Sequence, residues 1–167
     1  MRTVTFEGKP LHLEGELPVP NTQAPSFTLT ATDLSEKRLR DYLGNVLVLA
    51  SVPSIDTPVC DLEGRHFNDE ASKLSDQVRI AVVSCDTPFA QARWCGTAGI
   101  KNIVTLSDYK EHDFGRHYGV LIQELKLLAR AVFVIDKNGI LTYCQLVPEI
   151  TRQPDYAPVL EAIRKAL

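Results

Sequence analysis

The sequence has no hydrophobic run long enough to cross a bilayer. Its longest apolar stretch, residues 46–52, carries Ser51 inside it and falls far short of the ~20 residues a membrane helix needs. The opening residues, MRTVTFEGKPLHLEGELP, hold no apolar core of the signal-peptide kind, so cytoplasmic residence is the expectation. There is no block of Lys or Arg, and the net charge is −3, which offers no handle for nucleic acid or an anionic membrane. Cysteine is sparse. The four at positions 60, 85, 95 and 144 are too few for a disulfide scaffold in a chain able to bury its own core. None forms a CxxC pair, which removes both zinc-site spacing and the usual dithiol oxidoreductase motif. Histidine gives no better metal pattern. Of His12, His66, His112 and His117, only the last two are close, in HDFGRH. Five positions apart on a helix they point about 140° from each other, and Gly115 between them weakens the helix. No metal is expected. No glycine loop cradles a phosphate either, so neither nucleotide nor flavin is implied.

What the chain does have is alternation of buried strands and helices. Its 167 residues suit one domain, taken as 1–167, with no repeat and no low-complexity tract. Residues 3–13 alternate around EGKP and predict an N-terminal β-hairpin. A proline-rich connector, 15–25, follows. Strands are expected at 26–31, 46–52, 77–84, 131–136 and 140–147, the last two joined by KNG as a hairpin. Helices are expected at 58–74, 87–95, near 110–117 and at 155–166. The pattern predicts an α/β fold with a mixed sheet.

One stretch asks for a chemical reading: VPSIDTPVC, residues 52–60, directly after the buried run VLVLAS. Thr57-Pro58 has the form of an N-cap followed by proline at the first helical position. Val59, Leu62, His66, Phe67, Ala71 and Leu74 then make an apolar face, with Asp61, Glu63, Arg65, Asp69, Glu70 and Lys73 mainly elsewhere. Cys60 occupies the third helical position, where free N–H groups and the helix dipole favour a negative sulfur. A small half-buried residue at an ordinary helix start would look the same. The next helix opens alike, as DTPF, and closes with RWCG, placing Cys95 in its last turn and Gly96 as the cap. Cys95 could be core packing beside Trp94, or the second thiol of a reversible pair.

These residues carry a family resemblance. PSIDTPVC is similar to the P-x-x-x-T-x-x-C signature of the peroxiredoxins, with Pro53, Thr57 and Cys60 in the defining places. SIDTPVC, PFAQARWCG, the arginine of RAVFVID and QLVPEIT-x-x-PDY resemble the thiol peroxidase branch, the atypical two-cysteine peroxiredoxins, along nearly the whole chain. The resemblance implies a thioredoxin-like fold with an extra N-terminal β-hairpin, a homodimer, and reduction of hydrogen peroxide and alkyl hydroperoxides with electrons from thioredoxin. By the same likeness Cys60 is the peroxidatic cysteine and Cys95 the resolving one. Thr57 and Arg130 position thiolate and peroxide, and Pro53 shields the pocket. Cys85 and Cys144 lie outside the motifs, and Cys85, ending the strand before the Cys95 helix, is an alternative resolving thiol.

The chemistry asks for a cation. A thiol of ordinary pKa about 8.5 is about 3% thiolate at neutral pH, and lowering that value to about 6 requires about 3.4 kcal/mol. A helix N-terminus typically supplies about 0.3 to 1 kcal/mol, while burial works the other way. A hydrogen bond to a charged group adds roughly 1.5 to 3 kcal/mol. Arg130, directly before the strand AVFVI, is the candidate. Its plain alternative is a strand-end arginine paired with a surface carboxylate. Two rivals remain for the whole chain: a thiol–disulfide oxidoreductase, which would want CxxC, and a catalytically idle thioredoxin-like binding module.

Overall fold

The protein is described by a computed structural model covering residues 2–167. The chain opens with a hairpin, β1 (Thr3–Phe6) and β2 (Lys9–Glu14), as its alternation predicted. Only two residues join the strands, Glu7 at φ 51° and Gly8 at φ 81°. Positive φ at both places is what the tight I′ turn requires, and it matches the right-handed twist of the strands. A two-residue strand β3 (Thr22–Gln23), then β4 (Thr28–Ala31), β5 (Glu36–Arg38) and β6 (Val46–Ser51) lead to helix α1 (Pro58–Ala71). Strand β7 (Val78–Ser84), helix α2 (Pro88–Ala98) and strand β8 (Val104–Ser107) follow. The rest is α3 (Asp113–His117), β9 (Leu121–Ile122), β10 (Leu127–Leu128), β11 (Ala131–Ile135), β12 (Ile140–Leu146) and α4 (Tyr156–Ala166).

Eight strands form a mixed sheet in the order β3-β12-β11-β6-β7-β8-β4-β5. β6, β7 and β8 run parallel, and β11 pairs antiparallel with β6. Parallel strands are buried on both faces, which is why β6 reads VLVLAS without a polar alternation. Val46, Val48 and Ala50 enter one core with Phe67 of α1, Trp94 of α2, and Val159 and Ile163 of α4. Leu47 and Leu49 enter the other, with Phe114, Tyr118 and the hairpin residues Val4 and Leu13. The hairpin continues through β9 and β10 into a small second sheet.

Helix α1 ends at Ala71, short of the expected 74, and other expectations shift as well. Helix α2 does not close at Gly96; it runs to Ala98, and Gly99 at φ 68° is the left-handed cap, its N–H bonded to the Cys95 carbonyl. Gly96 sits inside the helix, so Cys95 is one turn further in than its sequence context suggests. Strands β5 and β8 escaped the pattern because EKR and VTLS are short, and neither is a long apolar run.

Candidate active site

The antiparallel pairing of β6 with β11 sets Ala131 opposite Ser51. Arg130 therefore lies where the chain leaves β6 and turns toward α1. Val52 and Pro53 stay buried past the strand end. The following loop is braced by Asp86, whose carboxylate accepts the Ser54 hydroxyl (2.9 Å), the Ile55 N–H (2.9 Å) and the Ser84 hydroxyl (2.6 Å). Thr57 is then extended, at φ −85° and ψ 149°, and its Oγ1 accepts the Cys60 N–H at 3.1 Å, with Pro58 in the first turn. The cap predicted from sequence is present, and it places Cys60 at the third helical residue.

Cys60 is 1% exposed, Arg130 1% and Glu63 0%. The guanidinium donates four hydrogen bonds to buried partners. Nη2 donates to Cys60 Sγ at 3.2 Å and to the Ile150 carbonyl at 2.8 Å; Nε also donates to that carbonyl, at 3.1 Å. Nη1 donates to Glu63 Oε2 at 2.5 Å. Arg130 is thus no strand-end arginine facing a surface acid. Burial works against its charge, but Glu63 and Cys60 beside it hold Arg130 above the usual guanidinium range. Burial pushes the Glu63 carboxyl up, to about 7, while the Arg130 charge pulls it the other way. The upward direction has one cause, the removal of the carboxyl from water, which outweighs the nearby positive charge.

All four cysteines are free thiols. Cys95 is half-buried against the same core that holds Cys60, near Thr105 Oγ1 at 3.8 Å, and burial raises its thiol. Cys85 and Cys144 pack against the core on the opposite side of the sheet. Burial, then the charges of Asp108 and Asp86, push Cys85 up to about 12, and burial takes Cys144 up to about 11. Helices α1 and α2 meet closely. Trp94 Nε1 donates to Asp61 at 2.8 Å, and a Cβ on Gly64 would lie 2.4 Å from the Trp94 ring.

The redoxin family pattern matches residues 20–160. The chain belongs to the redoxin family. This redoxin is 49% identical over 165 residues to a thiol peroxidase of Oceanobacillus iheyensis, covering 99% of this chain and 100% of that protein. It is 48% identical over 164 residues to the thiol peroxidase of Bacillus subtilis, covering 98% of each. A peroxiredoxin-like protein from Aquifex aeolicus superposes with a TM-score of 0.91 at 40% identity, over 100% of this chain and 98% of that one. The thiol peroxidase from Chromobacterium violaceum, at 20% identity and a TM-score of 0.87, shares the fold over 98% of this chain and 95% of that one. The fold is thioredoxin-like, and the activity is that of a peroxiredoxin-type thiol peroxidase.

Within this redoxin the structure brings Thr57, Cys60 and Arg130 together, buries Pro53 in the loop before them, and leaves Cys95 on the neighbouring helix. Sequence reasoning missed Glu63. Of the apolar face expected on α1, Phe67, Ala71 and Leu74 do pack into the core, but Leu62 is 54% exposed, and Cys60, Glu63 and Gly64 are buried beside Phe67. A charged residue on the buried stripe defeats a hydrophobicity count. The available signal was positional: Cys60, Glu63, Gly64 and Phe67 share one helical face by spacing alone. Asp86 was missed too, since nothing in its neighbourhood marks it as the brace of the Cys60 loop.

Proposed function

We propose that Cys60 is the thiol that attacks hydroperoxide, that Cys95 resolves it, and that a thioredoxin-type protein resets the pair. The reading rests most on one contact, the buried Arg130 Nη2 at 3.2 Å from Cys60 Sγ. A guanidinium there favours the thiolate and offers a donor to the charge that develops as the O–O bond breaks. The thiolate sulfur takes the terminal peroxide oxygen with breakage of the O–O bond, and the other oxygen leaves as alkoxide or hydroxide, taking up a proton. Cys60 is then a sulfenic acid. The Cys95 thiol condenses with it, releasing water and forming a disulfide, which thiol exchange reduces. Thr57 holds the Cys60 amide and so fixes the first turn, while the buried Pro53 limits water at the sulfur.

Hydrogen peroxide and alkyl hydroperoxides are the proposed substrates, with residues 1–167 acting as one domain, as a homodimer, in the cytoplasm. Among the described residues no helix is long and apolar enough to cross a membrane. The roles are separated by turnover. Cys60→Ser is expected to abolish peroxide consumption, and Cys95→Ser to leave one turnover per chain without cycling on thioredoxin. Normal cycling by Cys95→Ser would reject the assignment and transfer the resolving role to another thiol.

A further inference from the structure

The carboxyl ends of β7 and β8 hold a second group of reactive side chains that the peroxidase chemistry does not use. These parallel strands are in register at their ends, Ser84 opposite Ser107. The next residue on each strand is therefore brought alongside the other: Cys85 after β7 and Asp108 after β8, with the Asp108 N–H bonded to the Ser84 carbonyl at 2.8 Å. His112, before α3, adopts a left-handed backbone at φ 53°. Its Nδ1 lies 3.4 Å from Cys85 Sγ. One ligand atom from each of Cys85, Asp108 and His112 lies within 4.8 Å of the others.

We infer that Cys85, Asp108 and His112 form a binding site for one zinc-class divalent cation, on the far side of the sheet from Cys60. Sulfur, imidazole nitrogen and carboxylate oxygen are the donor types such ions take, at about 2.3, 2.0 and 2.1 Å. Two donors on one tetrahedral ion at those lengths stand about 3.4 to 3.6 Å apart, so the Cys85–His112 spacing already fits. The widest pair, at most 4.8 Å apart, closes by about 1.4 Å or less, within reach of side-chain rotation. Asp108 is already fixed in place, since it is 2% exposed and its two oxygens accept the Phe114 and Gly115 N–H groups at 3.0 and 2.8 Å. Such bonds orient a ligating carboxylate and leave lone pairs free for a metal. Charge points the same way, because Asp86 and Asp108 both bear on Cys85. A cation bound among these carboxylates would displace the Cys85 proton and hold the sulfur as thiolate. A cavity of about 220 Å³, lined by Asp108 together with Lys110, Glu111 and Asp113, lies on the Asp108 side of the cluster. The histidine spacing gave no hint of this because Asp108 and His112 share the loop between β8 and α3 while Cys85 comes from the end of β7.

Cobalt(II) tests the site, since a thiolate ligand gives it a sulfur-to-metal charge-transfer band that no other residue type produces. The fully reduced whole chain, titrated anaerobically with cobalt(II), is expected to bind one ion and show that band. Zinc(II) should displace it and protect Cys85 from alkylation. Cys85→Ser should lose the band. His112→Asn, which tolerates the left-handed backbone, should weaken binding by more than about tenfold. Both variants should still consume peroxide, showing that they are folded. Absence of the band in the reduced wild type, or its survival in Cys85→Ser, would overturn the site. Loss of the band in Cys60→Ser or Cys144→Ser instead would do the same.

Discussion

Arg130 and Glu63 show how far one buried pair can govern both stability and chemistry. Removing the guanidinium alone strands Glu63 at 0% exposure without its partner. Breaking a buried ion pair that way costs about 3 to 5 kcal/mol. Arg130→Met should therefore be strongly destabilised in urea, and Arg130→Met/Glu63→Gln should recover much of the loss. Both should show slower peroxide reduction. The lost bond to Cys60 is of the class worth roughly 1.5 to 3 kcal/mol, or about 10- to 150-fold. A double variant with wild-type rate would remove Arg130 from the chemistry. The pair also predicts a pH dependence. Glu63 rises from an ordinary 4.5 to about 7 by burial, against the pull of Arg130. The folded state then holds a proton that the unfolded state releases, so this group's contribution is full below about pH 4.5 and is lost as pH rises through about 7. Urea unfolding across that window should show wild type losing stability relative to Glu63→Gln. A gap that stays constant with pH would contradict it. Arg130 was found from sequence only through resemblance, since neither its position before a strand nor its type reveals burial. Glu63 was placed on the wrong side of its helix because charge ordinarily means exposure, and only the distant Arg130 makes the exception possible.

Single contacts between elements set how the helices and hairpin are held. Gly64 lets Trp94 lie directly against α1, and Gly64→Ala would force that ring away. A cost of about 1 to 3 kcal/mol is expected by urea unfolding, together with changed Trp94 fluorescence, and an unperturbed spectrum would show that the contact is looser than described. The N-terminal hairpin is held by Glu149, whose carboxylate accepts the Gly8 N–H at 2.9 Å and the Thr5 hydroxyl at 2.8 Å. Those bonds, that from Gly8 foremost, hold Glu149 down to about 2. A depressed carboxylate stabilises above its ordinary value and loses that effect as pH falls through the folded one. Hydrogen exchange at Gly8 should therefore be faster in Glu149→Gln at pH about 5, with the difference fading near pH 2. Equal exchange at pH about 5 would deny Glu149 this role. The hairpin itself was legible, because turn residues EGKP between alternating segments are a local signal, although the turn is only Glu7-Gly8 and Lys9 and Pro10 already belong to β2. Its anchor at Glu149 was not, being separated from Gly8 by most of the chain. The end of α2 was misread for a related reason: Gly96 and Gly99 are both eligible caps, and only the tertiary course of the chain toward β8 selects the second.

Across the whole molecule, the sheet sorts the four thiols. Cys60 and Cys95 border one core, and Cys85 and Cys144 the other. The sequence showed valine-rich strands, and with them the mixed sheet, but not which thiol faces which side, because that depends on strand order. This sorting favours Cys95 over Cys85 as the partner of Cys60. Cys60 lies in the first turn of α1, and Cys95 lies within α2 with its carbonyl bonded to the Gly99 and Ile100 N–H groups. A disulfide needs Cα atoms about 4.4 to 6.8 Å apart. The first turn of α1 and the last turns of α2 are expected to unwind for the bond to close, breaking the Asp61–Trp94 link. Hydrogen exchange should accelerate in both segments on oxidation; unchanged protection there would contradict the motion. The central claim is the pairing itself. The most direct measurement treats the reduced protein with one equivalent of hydroperoxide, blocks free thiols, and maps the disulfide by peptide mass spectrometry. The account predicts a Cys60–Cys95 link within one chain, with Cys85 and Cys144 alkylated, and a Cys60–Cys85 link would contradict it.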